Sequence, residues 1–483
     1  VAEIELKLEI PRANRKAFLT SGVVGESAGS VRQQSVYFDT NDRTLFKKGF
    51  TLRVRRSGDA RMQTVKATGK GVSLFARSEW ETPIVDDLPV LESTSPIATE
   101  FGLNSTDVSP QFKVSVERHI WNVKENSSQI EAVLDEGTVI AGDRQTSICE
   151  IELELKDGDA RDLFVLARKF EAVAPVKFGV QSKAERGYWL MEAAKSAVKA
   201  EAVELGQATT AISAFQTIAQ SCFRQFRLNE TILLRGKSAE ALHQARVAIR
   251  RLRSAFSLFK VLVLDGEAGR LSDEFRWLAH VLGEARNLDV LLPKAQNGEL
   301  RRKLGTAQEH AYDDAFDALK SPRASALMLD FNEWLHCGDY LRLPARQEER
   351  ERSAEGFASE ALDKMRKKIK KHGRDLLGVD DEQRHQVRKD AKKLRYAAEF
   401  FGPLFTEKRS ARRHKHFIAA MERLQDQLGT LNDLVIGPDV LEKHGLRSHP
   451  EAETLVSHAN KTSLIEEAQS CLDDVLDTKR FWR

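Results

Sequence analysis

Up to about residue 185 the chain is a series of short runs in which charged and apolar residues alternate, and beyond about residue 205 the apolar residues recur at helical spacing. EIELKLEI (Glu3 to Ile10) and EIELELK (Glu150 to Lys156) are nearly the same line written twice. Successive side chains of a strand point to opposite faces, so Glu3, Glu5, Lys7 and Glu9 share one face, and Ile4, Leu6, Leu8 and Ile10 the other. VYFDT, FTLRVRR, MQTVKAT, RSEWETPIV, FKVSVERHIWNV and IEAVLDEGTVI continue the pattern, predicting an antiparallel sheet that closes on itself. Helical pieces near 11–21 and 159–172 interrupt it.

The alternation gathers charge on one strand face: Glu3, Glu5 and Lys7; Arg53 and Arg55; Lys66; Arg77, Glu79 and Glu81; Lys113; Arg118; Glu131 and Asp135; Glu150, Glu152 and Glu154; Lys183 and Arg186. Carboxylates side by side on a solvated face repel one another, and ordinary surface strands mix in more Thr, Ser and Gln. A barrel with its polar face turned inward gives these groups partners and a ligand. Guanidinium and ammonium groups suit phosphoryl oxygens, whereas neighbouring carboxylates repel a polyanion unless a divalent cation lies between. Acids and bases in one cavity therefore point to a metal-bound polyphosphate, with Mg²⁺ taking one or two protein carboxylates and completing its octahedron with water and phosphate oxygens. TGKG (Thr68 to Gly71) lacks the spacing of a P-loop. His119 adjoins Arg118, faces the other way by alternation, and reads as structural.

ExExK at Glu3, Glu5 and Lys7, followed in order by YFDT, LRVR, TVK, RSEWE, ERHIW, LDEG, EIELELK and SKAERGY, resembles the CYTH, or triphosphate tunnel metalloenzyme, family. The resemblance implies an eight-stranded antiparallel β tunnel that hydrolyses a triphosphate with Mg²⁺ or Mn²⁺. Carried onto this chain, it implies Glu3, Glu5, Glu152 and Glu154 as metal ligands, with Lys7 joining them in catalysis. Lys7, Arg53, Arg55, Lys66, Arg77, Arg118 and Lys183 would bind substrate.

The helical half repeats itself. HQARVAIRRLRS places His243, Arg246, Arg250 and Arg253 at i, i+3, i+7 and i+10, and HQVRKDAKKLRY places His385, Arg388, Lys392 and Arg395 at the same offsets. Each set lies along one helix face. VLGEARNLDVL around Gly283 and QLGTLNDLV around Gly429 follow the two copies. One basic stripe commonly faces solvent; a repeated one headed each time by His argues for a shared surface. A zinc site fits less well, because each leading His is followed by Arg rather than by further ligands. The half resembles the CHAD domain, which implies two related four-helix bundles about a pseudo-twofold axis and a polyphosphate-binding surface formed by those eight residues. RNLDV departs from the family's more usual RDLDV at Asn287.

Composition narrows the reading. At 483 residues the chain is expected to hold more than one domain, and with 41% hydrophobic and 30% charged residues it reads as globular. The four cysteines lack CxxC spacing, no apolar run approaches a membrane span, and a cytoplasmic protein, in some settings at polyphosphate granules, is expected. The net charge is only +3, but KMRKKIKKHGR and VRKDAKKLR concentrate base in the second half. Nucleic acid is disfavoured as a partner there, since the stripes lack interleaved aromatics. The expected fold class is α+β: a tunnel domain over 1–195, a linker over 196–208, and an all-α domain over 209–483. The expected function is hydrolysis of inorganic triphosphate to pyrophosphate and phosphate, persisting in the isolated first domain, with inorganic polyphosphate bound by the second. The alternatives are a non-catalytic polyphosphate-binding protein, or an organic triphosphatase or adenylate cyclase of the same fold.

Overall fold

In the computed structural model, residues 4–67, 78–263, 265–296, 298–452 and 461–483 are described. They form two compact units, one of 1–196 with 322–337 and the other of 197–321 with 338–483.

The first unit is a nine-stranded antiparallel sheet in the order β5-β4-β3-β2-β6-β7-β8-β1-β9. The strands are β1 (Ile4–Glu9), β2 (Gly29–Asp39), β3 (Phe50–Ser57), β4 (Ala60–Ala67), β5 (Ser78–Pro83), β6 (Ser109–Glu125), β7 (Ser128–Ala141), β8 (Arg144–Asp157) and β9 (Lys177–Phe178). Among the described residues the sheet holds the expected eight strands and a ninth, short one, Lys177 and Phe178, which pair briefly with β1. The two near-identical lines of sequence are immediate neighbours: β1 pairs antiparallel with β8, setting Glu5 against Glu154, Lys7 against Glu152 and Glu9 against Glu150. Leu6, Leu8, Ile151 and Leu153 fill the opposite, buried face.

The helices of this unit are α1 (Arg15–Thr20), α2 (Thr44–Lys47), α3 (Pro96–Phe101), α4 (Arg161–Val173) and α5 (Lys183–Met191). α1 and α4 cover the back of the sheet, where Phe18 and Phe170 meet with ring centroids 5.9 Å apart. α5 lies on the other face against β6, β7 and β8. Its Tyr188 stacks on Phe46, meets Phe112 edge-on, and donates to Asp39 Oδ2 at 2.8 Å. A Cβ on Gly187 would lie 2.2 Å from the Phe112 ring, so this close approach needs glycine. The Asp39 of YFDT is also buried and accepts from the backbone N–H groups of Thr40, Leu45 and Phe46, which makes it a fold-determining residue.

The second unit contains α6 (Ala211–Arg235), α7 (Ala239–Leu258), α8 (Lys260–Val263), α9 (Gly266–Leu291) and α10 (Glu299–Lys320). α11 (Pro322–Cys337) follows in the chain but belongs to the first unit. The second unit resumes with α12 (Gln347–Glu351), α13 (Ala354–His372), α14 (Asp381–Phe401), α15 (Lys408–Lys443) and α16 (Lys461–Asp477). Consecutive long helices pack in series, α6 on α7, α7 on α9 and α9 on α10, and again α13 on α14, α14 on α15 and α15 on α16. Both halves therefore have the same four-helix plan, with the repeated motifs on the second helix of each. Side-chain caps start these helices: Ser238 accepts from Ala241 N–H, and Asp380 from Gln383 N–H. Among the described residues no helix is long and apolar enough to cross a membrane.

Candidate functional sites

Cross-strand register lays the charged face of the sheet out in rows. Arg118, Asp135, Glu150 and Glu9 stand side by side on β6, β7, β8 and β1; next come Val133, Glu152 and Lys7, and then Glu131, Glu154 and Glu5. On the other wing Tyr37, Arg53, Thr64 and Glu81 form one row and Thr51, Lys66 and Glu79 another. Lys113 does not join them. It sits an odd number of residues from Arg118 on one continuous strand, opposite Val36 and Ile140, and so faces away. His119 faces away too, within 3.3 Å of Arg15 and stacked near Trp121. Glu3, Arg77 and the TGKG segment lie outside the described residues.

Asp135, Glu150 and Glu152 each offer an oxygen within 4.8 Å of the others. The Lys183 ammonium stands at their focus, 2.7 Å from Asp135 Oδ2, 2.6 Å from Glu150 Oε1 and 2.8 Å from Glu152 Oε1. Lys183 is the first residue of α5, fixed there by the Ser182 capping box with Glu185. Arg118 grips Asp135 with two hydrogen bonds, at 2.8 and 2.6 Å, and reaches Glu152 at 3.2 Å. Lys7 reaches Glu152 at 2.8 Å. Burial opposes charge on Glu152, yet Lys183, Lys7 and Arg118 hold its carboxyl well below the usual range. Burial likewise opposes the Lys183 charge, and the three carboxylates hold its pKa well above that of a free lysine. This trio is thus already neutralised.

The row beside it is different. Glu5 and Glu154 oppose each other directly, Glu131 adjoins Glu154, and the cation on this row is Lys156, 2.6 Å from Glu154. Glu5 Oε1 is buried without a hydrogen bond among the described residues, and Lys7 Nζ stands 3.7 Å off. Like charges directly opposite are destabilising unless a cation joins them. Glu5 and Glu154 thus set carboxylate oxygens, donors of the type Mg²⁺ and Mn²⁺ take, in the row beside Asp135, Glu150 and Glu152, whose oxygens lie close enough together to hold a metal ion.

The basic wing is under-satisfied. Arg53 and Arg55 have buried Nε atoms with no hydrogen-bond partner among the described residues. Arg53 is 3.6 Å from Glu79, which also takes Lys66 at 2.7 Å. Burial, followed by the nearby Arg53 and Arg118, pushes Arg55 down to about 10. Arg53 and Arg55, crowded beside the ion-paired Arg118 in one partly dry space, make a cationic surface that suits an anion. The sequence pattern placed Arg53, Arg55, Lys66 and Arg118 on this face; the role of Asp135 and Glu150 as anchors of Lys183 was not in the pattern, because it depends on where α5 docks.

In the second unit α7 and α14 pack together and bring the stripes side by side. Arg246, Arg250, Arg388 and Lys392 are close enough to perturb one another, and all but Arg246 border a cavity of about 600 Å³ that Arg253 and Lys389 also line. Arg253 and Arg388 have buried Nε atoms without hydrogen-bond partners among the described residues. Burial first, then Arg250, Arg388, Arg395 and Arg246, push Lys392 down to about 6. Arg395 is held by Glu399 at 3.1 Å. His385 turns elsewhere, 2.9 Å from Asn432 and into a separate hollow with Leu428 and Ile436. His243 is pushed down to about 4 by burial and by Arg286, Arg250 and Arg246, so it does not gain charge near pH 6.5. Arg286, from RNLDV, joins the cluster although the spacing argument passed over it. Asp289 accepts from Tyr312 at 2.9 Å and Gln308 at 2.7 Å, an internal clasp.

Fold and sites together define a class: an antiparallel sheet with a charged inner face, followed by a paired helical bundle with a basic cavity. The CYTH domain model matches residues 2–188 and the CHAD domain model residues 217–442, so the chain carries a CYTH domain followed by a CHAD domain. It is 34% identical over 158 residues to an inorganic triphosphatase of Haemophilus influenzae, a match covering 32% of this chain and 45% of that protein. An uncharacterized protein of Mycobacterium tuberculosis is 28% identical over 184 residues, covering 34% of this chain and 35% of that one. The chain thus spans less than half the length of these curated relatives. The crystal structure of the CHAD domain from the plant Ricinus communis is similar at 28% identity and a TM-score of 0.50, covering 57% of this chain and 96% of that one.

Proposed function

We propose that the CYTH domain hydrolyses inorganic triphosphate to pyrophosphate and phosphate, and that the CHAD domain binds inorganic polyphosphate. The observation that carries the first reading is the pairing, on one sheet face, of a guanidinium cluster, in which Arg53 and Arg55 keep buried Nε atoms without hydrogen-bond partners among the described residues beside the ion-paired Arg118, with the directly opposed carboxylates Glu5 and Glu154. The triphosphatase of Haemophilus influenzae points the same way.

Glu5, Glu152 and Glu154 would hold Mg²⁺ or Mn²⁺, which supplies charge neutralisation and a water of lowered pKa. Arg53, Arg55, Lys66 and Arg118 grip phosphoryl oxygens, and their fixed positions stabilise the charge that spreads over the transferred group. Lys7 and Lys183, held by Glu150 and Glu152, would each exchange a carboxylate oxygen for a phosphate oxygen when substrate binds. Asp135 and Glu150 orient these lysines. The chain's own contribution is thus positioning and preorganised charge, with no covalent intermediate.

The second reading rests on the cavity between the two basic stripes. Arg250, Arg388 and Lys392 have more positive charge than the local acids offset, and a phosphate chain supplies the missing anion. Phosphate release from triphosphate, longer polyphosphates, ATP and thiamine triphosphate, with Mg²⁺, Mn²⁺ or chelator, tests the first reading. Release from ATP alone, or none with any substrate, overturns it.

A further inference from the structure

α11 lies within the residues that match the CHAD domain, yet it packs with the tunnel unit. Three contacts fasten it there. Arg168 of α4 donates to Asp330 at 2.8 Å and to Glu333 at 2.5 Å. Arg161, at the start of α4, donates through Nε and Nη2 to the Cys337 carbonyl at 3.0 and 2.6 Å, which closes the C-terminus of α11. Ser325 Oγ donates to the Val176 carbonyl at 3.0 Å.

The third contact falls on a segment with consequences for the charged face. From Val176 the chain runs through β9, whose Phe178 and Lys177 pair with Leu8 and Glu9 of β1. Gly179 N–H then donates to the Lys7 carbonyl at 2.8 Å, and a Cβ on Gly179 would meet Lys7 Cγ at 2.7 Å. Ser182 caps α5 and Lys183 opens it, directed at Asp135, Glu150 and Glu152. A short stretch of backbone therefore sets both lysines, and α11 braces its beginning. β9 is only two residues long, so its own ladder supplies few hydrogen bonds to that stretch.

We propose that α11 is a positioning element of the tunnel: by bracing the stretch from Val176 to Ser182, it fixes Lys7 and Lys183 for the phosphate substrate. Ser325, Arg168, Asp330 and Glu333 are positioning residues and touch no substrate. A chain cut at residue 195 lacks α11, so the expectation of an autonomous first domain gives way to one that is folded but impaired. The inference rests on the proposed triphosphatase reading for its catalytic consequence, but not for its structural one.

The test uses the full-length chain with Arg168→Glu, Ser325→Ala, and the charge swap Arg168→Glu with Asp330→Arg. Triphosphate kinetics are read beside hydrogen exchange at the backbone amides of 177–183. Arg168→Glu should lower kcat/KM about tenfold, the scale on which displaced binding groups act at a distance, with the loss mainly in KM. It should speed exchange in 177–183, and the charge swap should recover part of both losses. Ser325→Ala should do the same more weakly, and it serves if Arg168→Glu does not fold. Unchanged exchange and unchanged kinetics in both single variants overturn the proposal. If the wild-type chain releases no phosphate while exchange still responds and recovers with the swap, the triphosphatase reading falls and the bracing role stands.

Discussion

Glu5 and Glu154 face each other directly across the β1–β8 pair, and Lys183 reaches neither, being spent on Asp135, Glu150 and Glu152. That division separates a carboxylate trio held by Lys183 from a directly opposed carboxylate pair whose near cations are Lys156, 2.6 Å from Glu154, and Lys7, 3.7 Å from Glu5. Removing one charge from the pair should have opposite effects on stability and activity. Glu5→Gln and Glu154→Gln should each preserve or slightly raise the melting temperature in chelator, by relieving like-charge repulsion. Each should abolish both the rise in melting temperature on adding Mn²⁺ and the release of phosphate. Full activity in the doubly substituted protein sinks the metal assignment.

Arg55 offers a cleaner probe of substrate binding than Arg118. Its Nε has no hydrogen-bond partner among the described residues, so Arg55→Ala should cost little stability while weakening triphosphate binding by about 1.5–3 kcal/mol, the worth of a charge-assisted hydrogen bond. Arg118→Ala strips a two-pronged partner from buried Asp135 and should destabilise the fold, by less than the roughly 3–5 kcal/mol of a fully broken buried pair because Lys183 remains. Thermal melts and Michaelis kinetics on the two variants give the comparison, and equal destabilisation by both contradicts it.

Lys392 should make the proposed polyphosphate binding a proton-uptake reaction. Its folded pKa, about 6, lies below the ordinary lysine value of 10.5 because burial and four neighbouring cations disfavour its charge. The sign follows by linkage: the unfolded chain binds this proton more tightly, so Lys392 weakens folding below about pH 6 and its penalty fades as pH rises toward 10.5. A bound phosphate chain restores the proton, so affinity should fall as pH rises above about 6. Calorimetry at pH 7.5 in buffers of different ionisation enthalpy should register proton uptake, and Lys392→Met should abolish it.

His243 should contribute nothing to that pH dependence. With its pKa pushed down to about 4 by burial and by Arg286, Arg250 and Arg246, it stays neutral from pH 8 to 5. Its ring resonances in NMR should be flat over that range, and a midpoint near 6.5 would remove it from the cluster.

Arg250 and Arg388 come from different copies of the repeat and border the same cavity. Arg250→Ala and Arg388→Ala should each weaken binding of long-chain polyphosphate and reduce its salt dependence by about one unit of slope, by analogy with counterion release on nucleic acids. Binding to the full chain over a salt series measures this. A slope unchanged in the double variant would show that the cavity is not the binding surface.

Lys113, expected beside Arg118 on the charged face, faces away because strand parity separates the two. Arg286 stands outside the repeated spacing and enters the cluster only through the packing of α9 on α7. The offset of His385 matches that of His243, but Asn432 draws its ring into another hollow.

Which residues share a face follows from local periodicity alone. The period of two in β1 and β8 dictates that Glu5, Glu152 and Glu154 are opposed to Leu6, Leu8 and Leu153, and the helical period lines up Arg246, Arg250 and Arg253. What each charge meets depends on how distant segments pack. Lys183 settles on Asp135, Glu150 and Glu152 because α5 docks through Gly187 against Phe112, and α11 leaves its sequence neighbours to brace the strand behind Lys7. Local periodicity fixes direction from a few adjacent residues, whereas the partner of a buried charge depends on a contact between segments far apart in the chain. That contact is selected by shape and by the cost of leaving a charge unpaired, and neither is written in the spacing.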